Sequence, residues 1–172
     1  MSRLVLRPLR LDDEAVARLA HEELAGVFGF LIFAREGEPW AAYLDRIEGH
    51  RRGVGLDEGM VASTFLVAEV DGEVVGRASV RHELNAFLAT WGGHIGYGVR
   101  PAYRRRGHAT AMLRGCLEVC RDLGIEQALV TCDVDNVASA GVIEACGGVF
   151  EDVAPAGESV AAKKRYWVPT GL

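Results

Sequence analysis

Long apolar runs are missing from this 172-residue sequence, and basic residues do not outnumber acidic ones. No segment approaches the roughly 18 consecutive apolar residues that a membrane-spanning helix requires. Charged residues interrupt the first ten positions, so we expect no secretory signal and no membrane partner. The 19 lysines and arginines against 24 aspartates and glutamates leave a formal charge of −5, which argues against binding of nucleic acid through the overall field.

Cysteine is scarce: the sequence contains Cys116, Cys120, Cys132 and Cys146, and no two of them form a Cys-x-x-Cys pair. We therefore expect free thiols and a reducing, cytoplasmic location. Cys116 and Cys120 are one helical turn apart, as two metal ligands would be, but no further His or Cys ligand accompanies them. We interpret both as small apolar residues on the inner face of a helix and expect no metal.

The remaining composition is that of a globular protein. Hydrophobic residues make up 49% of the chain and charged residues 25%. A chain of this length buries roughly 70% of the surface that its unfolded form exposes, which is enough for a core. This balance excludes a disordered chain, a collagen-like chain and a disulfide scaffold. Because the sequence has no repeat, linker or low-complexity tract, we expect residues 1–172 to form a single domain.

Hydrophobic periodicity predicts about four helices and six to seven strands. The predicted strands are 3–9, 64–70, 73–83, 92–99, 127–132, 149–153 and 162–168, and the predicted helices are 12–24, 40–50, 107–123 and 136–146. Asp71-Gly72 joins two of these strands as a hairpin. The resulting order, β-α-α-β-β-β-α-β-α-β-β, is that of a mixed α/β domain.

The segment VRPAYRRRGHA, residues 99–109, links a predicted strand to the clearest predicted helix and has the chemistry of an anion site. The first turn of a helix leaves N–H groups without partners, and the helix dipole adds about half a positive charge there. Gly107 lets the backbone approach a ligand closely, and three arginines supply charge and bidentate donors. Phosphate or pyrophosphate is the ligand that such a turn prefers. The alternative is a solvated basic loop that caps the helix.

Two other phosphate-binding loops are excluded by the glycine spacing. A P-loop needs Gly-x4-Gly-Lys-Ser/Thr, and the sequence has no such string. The glycines of GHIGYG, residues 93–98, have the wrong order for a dinucleotide fingerprint and lie within a predicted strand. Alternation places His94, Gly96 and Gly98 on one face of that strand. The two glycines leave room there for a ligand against the backbone, or for a bulge or tight helix packing.

The basic turn resembles the signature of a known superfamily. Arg104-x-x-Gly107-x-Ala109 resembles the Q/R-x-x-G-x-G/A motif of the GNAT superfamily of N-acetyltransferases. Val99 and Pro101 precede it as the corresponding residues do in that superfamily. The motif alone is of moderate specificity, and it gains specificity from its surroundings.

Further segments extend the resemblance along almost the whole chain. Asn136-x-x-Ser139 resembles the opening of the next helix in GNAT proteins, and residues 81–85, 92–97 and 131–133 resemble a bacterial subgroup of predicted acetyltransferases. The resemblance implies the GNAT fold, with a mixed, mostly antiparallel central sheet. It also implies an enzyme that moves an acetyl group from acetyl-coenzyme A to a primary amine by direct attack in a ternary complex.

The resemblance further implies where acetyl-coenzyme A would lie. In GNAT proteins the backbone N–H groups of the motif turn hold the pyrophosphate, and the strand before the turn pairs with the pantetheine arm. Asn136 also has a simpler interpretation as a helix cap. The implied cofactor-binding residues are Gly98, Val99, Arg104, Arg105, Arg106, Gly107, His108, Ala109, Thr110, Asn136 and Ser139.

Acetyl transfer requires a base that takes a proton from the amine. We rank Glu83 first, because it ends a predicted strand in a polar cluster within an otherwise apolar run. His94 comes second, since its ordinary pKa suits the task, and His82 third. A solvated strand end is the structural interpretation of Glu83, and packing on the sheet is that of the two histidines.

The reaction also requires an acid for the departing thiolate and a donor to the developing oxyanion. A backbone N–H at the strand end, such as that of Val99, suits the oxyanion. Many GNAT enzymes place a tyrosine acid seven residues after the asparagine, where this sequence has Ile143. The acid therefore stays open among Tyr97, Cys132, Cys146 and a water molecule.

Ile143 keeps a second function open, a catalytically silent domain that binds or senses acyl-coenzyme A. Nucleic-acid binding through residues 104–106 is disfavoured by the net charge and by the absence of interleaved aromatic residues. The resemblance places residues 21–60 over the acceptor pocket. The sequence does not identify the acceptor, a small-molecule or peptide amine, and leaves a homodimer open.

Overall fold

Residues 3–172 are described by a computed structural model, in which seven strands form one mixed sheet. The strands are β1 (Val5–Arg7), β2 (Ser63–Val70), β3 (Glu73–Arg81), β4 (Ile95–Val99), β5 (Gln127–Asp133), β6 (Val149–Ala154) and β7 (Lys163–Pro169). The helices are α1 (Glu14–Glu23), α2 (Trp40–Arg51), α3 (His108–Asp122) and α4 (Val137–Ala145), with short helical turns between elements. The strand order is β1-β2-β3-β4-β5-β7-β6, and only the β4–β5 pair is parallel. The predicted fold class and element order are confirmed.

The sheet carries an apolar core on each face, because the side chains of a strand alternate between its two faces. Helices α3 and α4 cover one face, and α1 and α2 with the segment between them cover the other. Periodicity predicts an inner face of α3 made of Ala109, Met112, Leu113, Cys116, Leu117, Cys120 and Leu123. The five central members are at most 7% exposed, whereas Ala109 is half-buried and Leu123 is 42% exposed where the helix ends. The cysteines are free thiols, and burial raises the pKa of both Cys116 and Cys120.

The start of β4 differs from the prediction. The sequence pattern predicted a strand from Gly92, but Leu88–Gly92 forms a π-helical turn and β4 begins only at Ile95. Gly93 has a φ of +66° and lies so close to β5 that a Cβ would be 2.6 Å from the carbonyl oxygen of Leu129. A contact between segments distant in sequence therefore delays the strand. The other elements agree with their predicted bounds to within two residues at each end.

Membrane spans and metal clusters are both missing from residues 3–172. No helix there combines the length and the apolarity that crossing a membrane requires. In the same residues, no three His, Cys, Asp or Glu side chains are grouped as ligands of one metal ion.

Candidate active site

Within residues 3–172, strands β4 and β5 are paired only at the start of β4, where Ile95 lies opposite Val130 in the middle of β5. Beyond that pair the two strands diverge. Because β4 leads to α3 and β5 leads to α4, the gap opens toward the N-termini of both helices. A gap inside a sheet leaves backbone groups of the diverging strands without their usual partners.

The backbone of β4 alternates between β3 and this gap. In the β3–β4 register, the N–H of Arg81 donates to the carbonyl oxygen of His94, which fixes the alternation along the antiparallel pair. The backbone groups of Gly98 therefore point toward β3, where they meet Arg77. Those of Tyr97 and Val99 point into the gap. An extended ligand in the gap could pair with them as a strand would.

The turn between β4 and α3 presents further unpaired N–H groups. Gly107 is the N-cap of α3 with a φ of +80°, and Arg105 has a φ of +61°. The four amides from Gly107 to Thr110 find no acceptor within residues 3–172, and no side chain caps the helix. Nε of Arg104 donates to the carbonyl oxygen of Val99 at 3.1 Å and ties the turn to the end of β4. The predicted anion site thus lies at the mouth of the gap.

The sequence-predicted cofactor residues occupy this turn and the helix starts beside it. The exposed ones are Arg104, Arg105, Arg106, Gly107 and Asn136, and the half-buried ones are Gly98, Val99, His108, Ala109, Thr110 and Ser139. Residues 104–110 lie in the turn or at the start of α3, Val99 has backbone groups that point into the gap, and Asn136 and Ser139 are at the start of α4. The backbone groups of Gly98 pair with β3, so the structure argues against a direct role for this residue.

Helix α4 begins beside Tyr97. Asn136 is its N-cap, with Oδ1 accepting the N–H of Ser139 at 3.0 Å, so the capping interpretation is confirmed. Oγ of Ser139 lies 2.9 Å from the hydroxyl oxygen of Tyr97. Burial raises the pKa of Tyr97 to about 12. The hydroxyl is therefore protonated at neutral pH, next to the first turn of α4.

The space beside the β4 glycines is filled by side chains of the chain itself. A Cβ on Gly98 would collide with the ring of Phe28, and one on Gly96 would lie 3.1 Å from Nη1 of Arg81. The guanidinium of Arg77 stacks on the ring of Phe28, 3.8 Å from its centroid. At Gly98 the expectation of room for a ligand was wrong, because tight packing of Phe28 takes up that room.

The structure places Glu83 and His82 outside regular secondary structure. Strand β3 ends at Arg81 and does not reach Glu83, which is exposed in the bend that follows. Nε2 of His82 lies 2.8 Å from Oγ1 of Thr64, and burial lowers the pKa of this histidine. His82 thus joins β2 to the end of β3. Glu83 follows the part of β3 that lies opposite His94, so the register does not bring its carboxylate beside Tyr97 and Val99.

His94 is held by the backbone of β5. Its Nδ1 accepts the N–H of Leu129 at 2.9 Å, and the residue is 7% exposed. In the neutral ring Nε2 must then carry the proton, so neither nitrogen has a free lone pair. Burial, and next to it the charge of Arg81, lowers the pKa of His94. The geometry therefore argues against His94 as the base and favours its structural interpretation.

Among the candidate acids, Tyr97 combines a hydroxyl that is protonated at neutral pH with a polar neighbour, Ser139. Ile143 is fully buried in the core. Cys132 is buried, which raises the pKa of its thiol, and the thiol of Cys146 donates to the carbonyl oxygen of Thr110 at 3.8 Å. Position 143, where many GNAT enzymes have a tyrosine acid, is thus occupied by a residue of the core.

Sequence reasoning missed Arg77 and Arg81, which lie on the same face of β3 as Ser79. Arg77 is buried, with 3% of its surface exposed, whereas Arg81 is half-buried, and burial lowers the pKa of both. The signal was present, because two arginines four residues apart interrupt an apolar strand at positions that share one face. Their partners could not be read from the sequence.

Comparison with known proteins identifies similar chains. The family model described as acetyltransferase (GNAT) domain matches residues 3–149. The structure resembles Mycobacterium smegmatis RimJ in complex with CoA-disulfide, with a TM-score of 0.70 and 20% identity over 98% of this chain and 85% of that one. It also resembles YncA from Salmonella typhimurium, a putative acetyltransferase with acetyl-CoA, with a TM-score of 0.64 and 15% identity over 97% and 94%.

A third similar structure is spermidine N-acetyltransferase from Vibrio cholerae in complex with CoA and spermine. Its TM-score is 0.63, and the identity is 16% over 98% of this chain and 96% of that one. At these identities the likeness shows the fold, and the family match extends over most of the chain.

Proposed function

The chain belongs to the GNAT acetyltransferase family, and from this premise we propose that it transfers an acetyl group from acetyl-coenzyme A to a primary amine by direct attack in a ternary complex. The observation that carries the proposal is the continuity between the β4–β5 gap and the four free amides from Gly107 to Thr110. We assign the activity to a single domain, residues 1–172. The acceptor is a small-molecule or peptide amine. We place the enzyme in the cytoplasm, where its four free thiols stay reduced.

The residues around the gap suit acetyl-coenzyme A, which would supply the thioester. The N-terminus of a helix with free amides and a positive dipole end binds pyrophosphate. The exposed guanidinium groups of Arg105 and Arg106 add charge beside those amides. The inward-pointing backbone groups of Tyr97 and Val99 match an amide-bearing arm laid along β4. The thioester would then lie where β4 and β5 diverge.

The acetyl transfer forms one C–N bond and breaks one C–S bond. The amine nitrogen attacks the thioester carbon, and its proton passes to a base. The N–H of Val99 donates to the carbonyl oxygen as negative charge develops there. The Tyr97 hydroxyl, protonated at neutral pH, gives its proton to the departing sulfur. The proposed base is Glu83, whose exposed carboxylate lies past the end of β3, so the proton reaches it through water.

Tyr97→Phe removes the proposed acid and is expected to lower kcat by about 100-fold, near the lower end for general acid catalysis. The dissociation constant for coenzyme A should change little. Because burial raises the pKa of Tyr97 to about 12, its deprotonation should not limit the rate below about pH 11. Ser139→Ala is the matched control: it removes the 2.9 Å contact but keeps the proton, so its kcat should fall less. Equal rates for wild type and Tyr97→Phe would assign the proton to water.

Glu83→Gln is expected to lower the acetylation rate at neutral pH without weakening the binding of coenzyme A. The substitution keeps the shape of the exposed side chain and removes its capacity to accept a proton. Rates measured from pH 6 to pH 10 check this, because an amine that deprotonates by itself at high pH needs no base. The difference in acetylation rate between wild type and Glu83→Gln should therefore shrink as the pH rises. A deficit that stays constant over this range would remove Glu83 from the role of base.

Calorimetric titration with acetyl-coenzyme A, and separately with coenzyme A, tests the proposed function. Saturable binding of both, followed by amine-dependent thiol release, supports an acetyltransferase. Saturable binding without thiol release from any primary amine would favour the silent acyl-coenzyme A sensor, for which the buried Ile143 is the specific observation. The absence of binding to either nucleotide would overturn both functions.

A further inference from the structure

Arg81 is half-buried, and within residues 3–172 its guanidinium lacks a counter-charge. Its Nη1 has no accessible surface and no hydrogen-bond partner. Within residues 3–172 no carboxylate forms an ion pair with it, and burial alone lowers its pKa. Withdrawing part of an unpaired charge from water is unfavourable, and proteins rarely retain such a group without a role.

Arg81 lies on the face of β4 opposite to Tyr97. Its Nη1 is 3.1 Å from the position of a Cβ on Gly96, one residue, or about 3.3 Å of strand, before Tyr97. Ser79 is on the same face, with Oγ 3.5 Å from that position. The acyl donor would lie in the gap and against α3 and α4. Arg81 therefore lies on the face of β4 opposite the acyl donor, which is the face left for an acceptor.

Arg77, on the same face, provides the contrast. Its Nε donates to the carbonyl oxygen of Gly29 at 3.0 Å, its Nη1 donates to Oγ of Ser79 at 3.2 Å, and its plane stacks on Phe28. Burial, and next to it the charge of Arg81, lowers the pKa of Arg77 to about 9. Arg77 thus has a structural set of partners, whereas Arg81 has no hydrogen-bond partner among residues 3–172.

The charges near Arg81 have one sign. Arg77 repels it, and Arg81 in turn disfavours the charged form of His94. The nearest acidic residue along the chain, Glu83, is exposed and beyond the end of β3. A polycationic acceptor such as a polyamine would add repulsion at this face. An oxyanion would supply the missing partner, and a planar guanidinium binds carboxylate or phosphate with paired hydrogen bonds.

We infer that the acceptor is a small amine that carries a carboxylate or phosphate group, and that Arg81 binds this group on the α1–α2 face of β4. The inference rests on the proposed acetyltransferase function. It names the class of acceptor and gives Arg81 the role of a specificity-determining residue.

Matched pairs of amines test the inference by thiol release. The pairs are amino acids against their carboxamides, and an aminoalkyl phosphate against the corresponding amino alcohol, with spermine as the polycationic probe. We expect the anionic member of at least one pair to have a kcat/KM about 100-fold higher, and Arg81→Met to abolish that preference. The pair that shows the preference distinguishes carboxylate from phosphate. Equal use of charged and neutral members, or preference for spermine, would overturn the inference and leave the acetyltransferase function intact.

Thermal unfolding supplies a readout that does not depend on turnover. Arg81→Met keeps the aliphatic stem and removes an unpaired charge, so its Tm should equal or exceed that of the wild type. Arg77→Met is the matched control and should lower the Tm, because it leaves the carbonyl oxygen of Gly29 without its hydrogen-bond donor. A loss of Tm in Arg81→Met as large as in Arg77→Met would make Arg81 structural and overturn the inference.

If no amine is acetylated, a binding measurement still tests this inference independently of the proposed function. The coenzyme A-saturated protein is titrated with the same matched pairs in a calorimeter. Saturable binding of an anionic amine, lost in Arg81→Met, supports the inference even if transfer fails. Failure of every anionic amine to bind the coenzyme A complex overturns it, whatever the outcome for acetyl transfer.

Discussion

Gly107→Val is expected to weaken the binding of coenzyme A by at least about 100-fold while the protein stays folded. Gly107 has a φ of +80°, a conformation in which a β-branched residue is an outlier that costs about 1–2 kcal/mol. No atom lies within 4 Å of the position of its Cβ, so the effect is not a clash with the protein. The backbone would rotate to relieve the strain and misalign the free amides. Loss of two charge-assisted hydrogen bonds, each about 1.5–3 kcal/mol, gives this factor.

Gly124→Val is the matched control at the other end of the same helix. Gly124 has a φ of +79°, is exposed and also has open space around its Cβ. The two variants should therefore lose similar amounts of stability in thermal unfolding, but only Gly107→Val should lose affinity in calorimetric titration. Equal affinities in both variants would remove the turn from the cofactor site, and with it the main support for acetyl-coenzyme A.

The elements predicted well are those whose signals are local. Asp71 and Gly72 have φ values of +50° and +84°, as the two-residue hairpin that the dipeptide predicts requires. The stripe of α3 was read from its own periodicity, because one helix face decides its burial. The start of α3, predicted at residue 107, lies at His108. In each case a few neighbouring residues determine the conformation.

The features that sequence reasoning missed depend on contacts between distant segments. Phe28 covers Gly98, 70 positions away in the chain, and the lone pair of His94 is taken by the amide of Leu129. Neither contact leaves a periodic signal. Arg81 could be noticed as a charge in an apolar strand, but its lack of a partner is a property of the assembled sheet. The cofactor turn could therefore be predicted, whereas the acceptor side could not.

Val99→Pro is expected to lower kcat by about 100-fold to 1,000-fold, the usual loss when one oxyanion donor is removed. Proline removes the N–H and fixes φ at about −65°. At this position the lost N–H points into the gap and away from β3, so no ladder bond is lost. The ladder bonds of the flanking positions remain, including the one from the Arg100 N–H to the carbonyl oxygen of Val75 at 2.9 Å. Coenzyme A should still bind within about tenfold of its wild-type affinity, since the motif turn keeps its amides.

Val99→Ala distinguishes the effect of the lost N–H from the effect of the altered side chain. Val99 packs against the core beneath α3, so both variants lose that packing, but alanine keeps the N–H. Thiol release at saturating acetyl-coenzyme A should therefore be near normal in Val99→Ala and low in Val99→Pro, with comparable Tm values. If the two variants share one rate, the oxyanion donor is not at the end of β4. The divergence of β4 from β5 would then serve to admit the pantetheine arm alone, because the gap would hold the ligand without stabilising the charge that develops during transfer.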